Sequence, residues 1–150
     1  MQAKQTISNC ITFLLIVLFV YTATSKLVAH HTFIAVLKQS PLLHNFANFT
    51  SWSIPVIELI IATLLIIPSL RKQGLLASAI LMSLFTAYIA YMLMSKSKFP
   101  CSCGGVLKQL SWQQHLLFNI IFTFAAYMGY KIEKSTQLFI AINRSRRIPV

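Results

Sequence analysis

The sequence predicts an all-α fold, an integral membrane four-helix bundle, and three observations support this. Apolar residues make up 57% of the 150-residue chain and charged residues only 10%, whereas soluble domains carry about 25% charged residues. The apolar residues form runs close to the ~20 residues that a helix needs to cross the hydrocarbon core. Basic residues flank these runs. The length predicts a single domain, residues 1–150.

The positive charge does not point to nucleic acid. Thirteen Lys and Arg against two acidic residues give a net charge of +11, but they form no patch interleaved with aromatic residues. They lie beside apolar runs, where basic side chains anchor helices to lipid headgroups. The expected partner is therefore the lipid bilayer.

The first predicted span covers about residues 7–28, because the apolar run from Cys10 to Ala23 can extend if Lys26 reaches back to the interface. One Lys before an apolar run also resembles a signal peptide. No clear small-x-small cleavage site follows it, so we expect an uncleaved span. Residues 27–37 then place apolar side chains on one face and predict either a short interfacial helix or an extension of the span.

Three further apolar runs predict the remaining spans. The second contains one charged residue, Glu58, the third none, and the fourth none beyond His115. A basic, amphipathic C-terminal tail follows and is expected to lie on anionic cytoplasmic lipid. The predicted spans are about 52–70, 75–94 and 113–130, and the tail is 131–150.

The basic residues predict the orientation of the spans. Eight lie on one side and five on the other, and the side richer in Lys and Arg is cytoplasmic. Both termini are then cytoplasmic, in a multi-pass protein of the bacterial inner membrane, and the loop around residue 102 faces the periplasm. The first set is Lys4, Arg71, Lys72, Lys131, Lys134, Arg144, Arg146 and Arg147, and the second is Lys26, Lys38, Lys96, Lys98 and Lys108.

Glu58 is the first candidate functional residue. It lies six residues beyond Trp52, or about 9 Å into the membrane at 1.5 Å per residue. An ionisable group at that depth is costly and indicates a functional site. Its expected partner is Lys26, at the outer end of the first span. Two interpretations stay open: a pair that stabilises helix packing, or a proton donor or acceptor near the cysteines.

His115 and Asn119 are spaced i, i+4 at the start of the last span, so they share a helix face. Trp112 precedes them at the membrane boundary, where amphipathic rings settle. A histidine near a helix start can also serve packing alone. The predicted topology nevertheless brings these residues to the same end of the bundle as Glu58 and the cysteine loop.

Cys101 and Cys103 form a C-x-C in the predicted loop, within the stretch "FPCSCGG". Pro100 restricts the backbone before the pair, and Gly104 and Gly105 permit unusual conformations after it. A disulfide in so small a ring would be strained, stabilise little and exchange readily.

Neighbouring lysines favour the thiolate at this pair. The third cysteine, Cys10, is expected to pack as a small apolar residue.

Metal binding is the chemical alternative for these residues. Cys101, Cys103 and His115 offer three soft ligands, and the other outer loop offers His30, His31 and His44. Structural zinc sites usually combine C-x-x-C pairs into four ligands, which the sequence lacks. We therefore predict a redox pair and no bound cofactor or metal.

Several segments between about residues 7 and 130 carry a resemblance to a known family. The most distinctive part is "CSCGG" followed by W-x-x-H-x-x-x-N. The other matching segments are "YTATSKL", "SPLL", "WSIPVIELIIATLLIIP" and "GLLASAILMSLFTAYIAYML". In these segments the sequence resembles the methylamine utilisation protein MauE family, within the DoxX-like group of four-helix membrane proteins, and Bacteroidetes-type members are the most similar in character.

The resemblance implies a membrane protein associated with thiol redox, whose namesake acts in the processing, transport or maturation of the disulfide-rich β-subunit of methylamine dehydrogenase. It implies a thioredoxin-like partner, and Cys101 and Cys103 as the redox pair. His115 or Glu58 would move the proton. Alternatives are a non-catalytic membrane scaffold for a periplasmic client, or a metal or small-solute transporter. Whether the protein turns over as an enzyme stays open.

Overall fold

The computed structural model describes residues 2–40, 42–94 and 112–145, and within them the fold is entirely helical. Four long helices carry the bulk of the chain, and a short fifth helix follows the first of them. A 3-10 turn, His44–Phe46, leads into the third helix. The helices are α1 (Gln2–Val28), α2 (His30–Gln39), α3 (Ala47–Ile66), α4 (Arg71–Met94) and α5 (Trp112–Ser145).

The segment after α1 forms the short helix α2, which only Ala29 separates from α1. Its two predicted placements, in the membrane interface or as an outward extension of the first span, stay predictions. The backbone N–H of Ala29 donates to Ser25 and that of Phe33 donates to Ala29, so hydrogen bonding continues across the junction. Phe33 and Leu37 bury their side chains against Ala47 at the start of α3. The helix α2 is therefore held by apolar packing on α3.

Three of the long helices, among the described residues, are long and apolar enough to cross a membrane: Ala3–Val28, His44–Ile66 and Arg71–Met94. They correspond to the first three predicted spans, although α1, α3 and α4 each begin about four or five residues earlier than predicted. Residues 67–70 leave the helix because Ile67 turns to an extended conformation just before Pro68.

The fourth predicted span lies within α5, which runs without interruption from Trp112 to Ser145. The residues after 130 continue this helix. Polar side chains in its first turns, such as His115 and Asn119, and charged residues after residue 130, such as Lys131 and Glu133, make α5 less apolar than the other three long helices. Apolar composition alone therefore does not identify it as a span.

The four long helices contact one another in a closed ring: α1 packs against α3 and α5, and α4 packs against the same two. Leu15, Phe19, Leu65, Leu75 and Ala126 fill the shared core. Two glycines mark close approaches. Gly74 of α4 lies against the backbone of α3, and Gly129 of α5 lies against the side chains of Leu75 and Ile11.

The outward faces are apolar. Only 33% of the residues in the most apolar window of each of the three candidate spans are buried, so many large apolar side chains point away from the core. A water-soluble monomer rarely exposes so much contiguous apolar surface. Together with span length, this indicates a multi-pass membrane protein and is compatible with contact between its outer surface and a lipid bilayer. Examples are Phe13, Leu14, Ile60, Ile80, Leu84, Ile121 and Phe124.

Candidate functional site

A cavity of about 260 Å³ lies between the helices at one end of the bundle. Most of its lining is apolar, and much of that is aromatic, but several polar side chains also reach it. It lies at the end of the bundle away from Gly129 and Ile11. The aromatic lining residues are Phe19, Phe33, Phe85, Tyr88 and Phe118, and the polar ones are Thr22, Lys26, Thr50, Glu58, His115 and Asn119.

A buried ion pair forms the polar centre of this cavity. Lys26 lies in the last turn of α1 and Glu58 in the middle of α3, and Lys26 Nζ donates to Glu58 Oε1 at 2.7 Å. The side chains are only 5% and 1% exposed. The ammonium also lies 5.8 Å from the centroid of the Phe85 ring, within cation–π range. Lys26 is thus the partner of Glu58, as the sequence predicted.

The second carboxylate oxygen of Glu58 is buried and has no hydrogen-bond partner among the described residues. An unsatisfied buried acceptor costs about 1–3 kcal/mol. Native structures contain few of them, and each calls for a water, ion or ligand as an explanation. Glu58 thus combines one fully paired oxygen with one that is available to a group in the cavity.

His115 and Asn119 lie in the first turns of α5 and are 3% and 4% exposed. Both line the cavity, as the shared helix face predicts. Asn119 Nδ2 donates to the carbonyl of His115 at 2.9 Å. One turn further, Thr123 Oγ1 donates to the carbonyl of Asn119 and lies 3.3 Å from Thr86 Oγ1 of α4. The Thr86–Thr123 contact joins α4 to α5, whereas the other two hydrogen bonds lie within α5.

Tyr88 and Ser40 were not identified as site residues by sequence reasoning. Tyr88 Oη donates to Ser40 Oγ at 3.0 Å, which ties α4 to the residue that ends α2. Ser40 is buried. The position of Tyr88 within an apolar run was the one sequence signal that could have indicated it as a site residue. Ser40, which precedes a proline, had no such signal.

The cysteine pair, Cys101 and Cys103, and the flanking Gly104 and Gly105 lie outside the described residues. Chain connectivity places them between the end of α4 at Met94 and the start of α5 at Trp112. Cys10 is an exposed free thiol on an outward face of α1. Its expected role as a small apolar residue stays a prediction.

The described residues contain no group of three His, Cys, Asp or Glu side chains placed to hold a metal ion. The ring of His30 packs on Trp52 with centroids 4.6 Å apart and lies 6.3 Å from the ring of His31. These histidines therefore take part in ring packing. The alternative of a metal site formed by Cys101, Cys103 and His115 includes residues beyond the described part of the chain.

Residues 4–132 match the sequence profile of the family described as methylamine utilisation protein MauE. Neither the curated proteins nor the solved structures provide a match. The matched region includes α1 from its third residue onward, all of α2 to α4, the cysteine pair and the part of α5 that lines the cavity.

Proposed function

The chain belongs to the methylamine utilisation protein MauE family, and on that premise we propose that it exchanges thiols and disulfides at the periplasmic face of the bacterial inner membrane. The exchanging groups are Cys101 and Cys103. The observation that carries the proposal is the burial of His115 and Glu58 in one cavity. The segment with the cysteines is joined directly to α4 and α5, two of the helices that line that cavity.

The proposed topology has four spans with both termini in the cytoplasm. The packing of α5 along α4 and α1 supports α5 as the fourth span. The excess of Lys and Arg near the two termini and at the start of α4, at residues 71–72, supports the orientation. With this orientation the cavity and the cysteine segment are at the periplasmic end, where thiol pairs meet oxidising partners.

The proposed reaction proceeds through a mixed disulfide. The thiolate of one cysteine attacks a sulfur of the partner's disulfide, a new S–S bond forms, and the other partner sulfur leaves as a thiolate. The second cysteine then attacks the mixed disulfide, which closes the Cys101–Cys103 bond and releases a reduced partner. The reverse sequence oxidises the partner. In both directions His115 and Glu58 accept or return the thiol protons.

The proposed partner is a periplasmic thioredoxin-like protein or a disulfide-rich client. The family description supports a link to methylamine utilisation, with the β-subunit of methylamine dehydrogenase as one such client. Because other disulfide-rich proteins present the same chemistry, the proposal concerns the reaction and leaves the client open.

We expect the double variant C101S/C103S to lose all exchange with the partner while it still inserts in the membrane. Its redox state is measured in whole cells with a maleimide that adds mass to each free thiol, before and after reductant. In the parent protein, the number of thiols that react with the maleimide should increase by two after reductant. The single variant C103S should accumulate a mixed disulfide with its partner. The matched control is C10S, which removes the exposed thiol of α1 and should behave as the parent does.

A cysteine pair that holds one redox state under all conditions and forms no mixed disulfide would contradict the proposal. So would full maturation of the client by C101S/C103S. Either result would favour the alternative of a non-catalytic membrane scaffold.

A further inference from the structure

The charged side chains in the cavity restrict which charge a ligand can carry. Glu58 and Lys26 form a pair with no net charge, at 2.7 Å and almost completely buried. A small cation or anion would find its attraction to one partner offset by repulsion from the other. The pair still offers hydrogen bonds, because Lys26 has three N–H donors and Glu58 Oε2 is a buried acceptor without a partner in the described structure.

The size and lining of the cavity narrow the shape of the ligand. Its volume of about 260 Å³ lies just below the ≈ 300–1,000 Å³ typical of pockets for drug-sized molecules. Five aromatic side chains line it, and ring faces favour stacked or edge-to-face contact with another ring. A lipid acyl chain would fit the apolar lining but would leave Glu58 Oε2 without a partner. A neutral ring system with polar oxygens fits the aromatic lining and also provides a hydrogen-bond partner for Glu58 Oε2.

We propose that this cavity binds the ring of a lipophilic quinone, with the ring oxygens at Lys26 and Glu58 and the tail leading out into lipid. A quinone carbonyl accepts from the Lys26 ammonium, and the hydroxyl of the reduced form donates to Glu58 Oε2. The site thus has a partner for each redox state of the ligand. This inference rests on the proposed thiol function, for which the quinone is the electron acceptor.

The electrons and protons of the proposed reaction balance. Oxidation of the Cys101 and Cys103 thiols to one S–S bond releases two electrons and two protons. One quinone takes up both electrons and both protons and becomes a quinol. No other cysteine pair is present in the sequence to pass electrons across the membrane, since the third cysteine is Cys10 alone. A carrier that dissolves in the bilayer supplies that missing connection.

The binding site is tested by photolabelling the full chain in lipid nanodiscs with an azido-benzoquinone that carries a ten-carbon tail. Labelled peptides are identified by mass spectrometry, with and without excess unlabelled decyl-benzoquinone. We expect competable labelling of the segments that line the cavity. Decylbenzene, which has the tail and a ring but no oxygens, should not compete.

A matched pair of variants on α1 tests the location. Thr22 and Thr24 both donate their hydroxyl to a helix carbonyl, but Thr22 lines the cavity and Thr24 faces outward. We expect T22F to fill the cavity and to raise the concentration of decyl-benzoquinone that halves the labelling by about tenfold or more. The same concentration for T24F should equal that of the parent protein. Thermal melts of both variants report whether they fold. If T22F fails to fold, the double variant K26M/E58M, which keeps the shape and removes the polar pair, should show the same loss.

Labelling that decylbenzene also displaces, or that is equal in T22F and T24F, would overturn the quinone site. If that occurs while Cys101 and Cys103 still exchange with a thioredoxin-like protein, the proposed function stands without this site. Conversely, competable labelling that persists in C101S/C103S, together with a cysteine pair that is inert in the parent, supports the site and contradicts the thiol reaction.

Discussion

Replacing Lys26 with methionine is expected to lower the free energy of unfolding by about 3–5 kcal/mol, the usual cost of breaking a buried ion pair by removing one partner. The ammonium and the Glu58 carboxylate are 5% and 1% exposed, so water cannot replace the lost contact. Methionine keeps much of the length and the apolar part of the lysine side chain. The stability is measured by SDS titration or thermal unfolding of the protein in detergent.

Two controls accompany this measurement. Lys38 is exposed on α2, so K38M should change stability by no more than about 0.5 kcal/mol. The double variant K26M/E58M should recover most of the loss, because replacing both partners of a buried pair by apolar residues is often neutral. Stability of K26M within about 1 kcal/mol of the parent would show that the pair contributes little.

The double variant also separates the two interpretations of Glu58. If the ion pair serves packing alone, K26M/E58M will fold and exchange thiols at the parent rate. If Glu58 handles protons, the variant will fold and exchange slowly. The two results are distinguished by measuring stability and thiol exchange on the same preparation.

Replacing Gly74 with alanine is expected to destabilise the protein by about 1–3 kcal/mol, the range for overpacking a close contact. A β-carbon at this position would lie 2.9 Å from the backbone nitrogen of Leu65 and 3.0 Å from the carbonyl carbon of Leu64. Backbone atoms cannot rotate away as a side chain can, so α3 and α4 would have to separate. The change is measured by the same unfolding assay.

Gly129 provides the matched control on α5. A β-carbon there would meet only side-chain atoms, Leu75 Cδ2 at 3.1 Å and Ile11 Cγ2 at 3.2 Å, which can shift by small rotations. Alanine also gains about 0.5–1 kcal/mol over glycine within a helix. G129A should therefore remain close to the parent. Equal losses in G74A and G129A would contradict the close backbone contact between α3 and α4.

The apolar runs predicted the long helices well but not their ends. Hydropathy marks where a helix would enter lipid, whereas helix ends depend on backbone hydrogen bonding in polar turns. For this reason α3 begins at Ala47 and α4 at Arg71, within polar segments that composition alone assigns to loops. The same limit applies to α5, whose polar first turns carry the residues of the site.

The candidate site was partly visible in the sequence. An acidic residue deep in a span is costly wherever the helix packs, so Glu58 stood out, and Lys26 was the basic residue at a suitable depth. The i, i+4 spacing placed His115 and Asn119 on one face of a helix. Tyr88 and Ser40 could not be found this way, because their contact joins α4 to the end of α2 and leaves no local pattern.

The sequence by itself determined the helical class, the apolar spans, the family and the presence of a buried charge that needs a partner. Local periodicity and composition are sufficient for these, since each depends on residues within one helix. The tertiary structure confirmed that Lys26 meets Glu58, 32 residues away, and it alone showed that their pair borders an apolar cavity. Both depend on how far each helix is shifted and rotated against its neighbours, which is set by side-chain packing across the whole bundle.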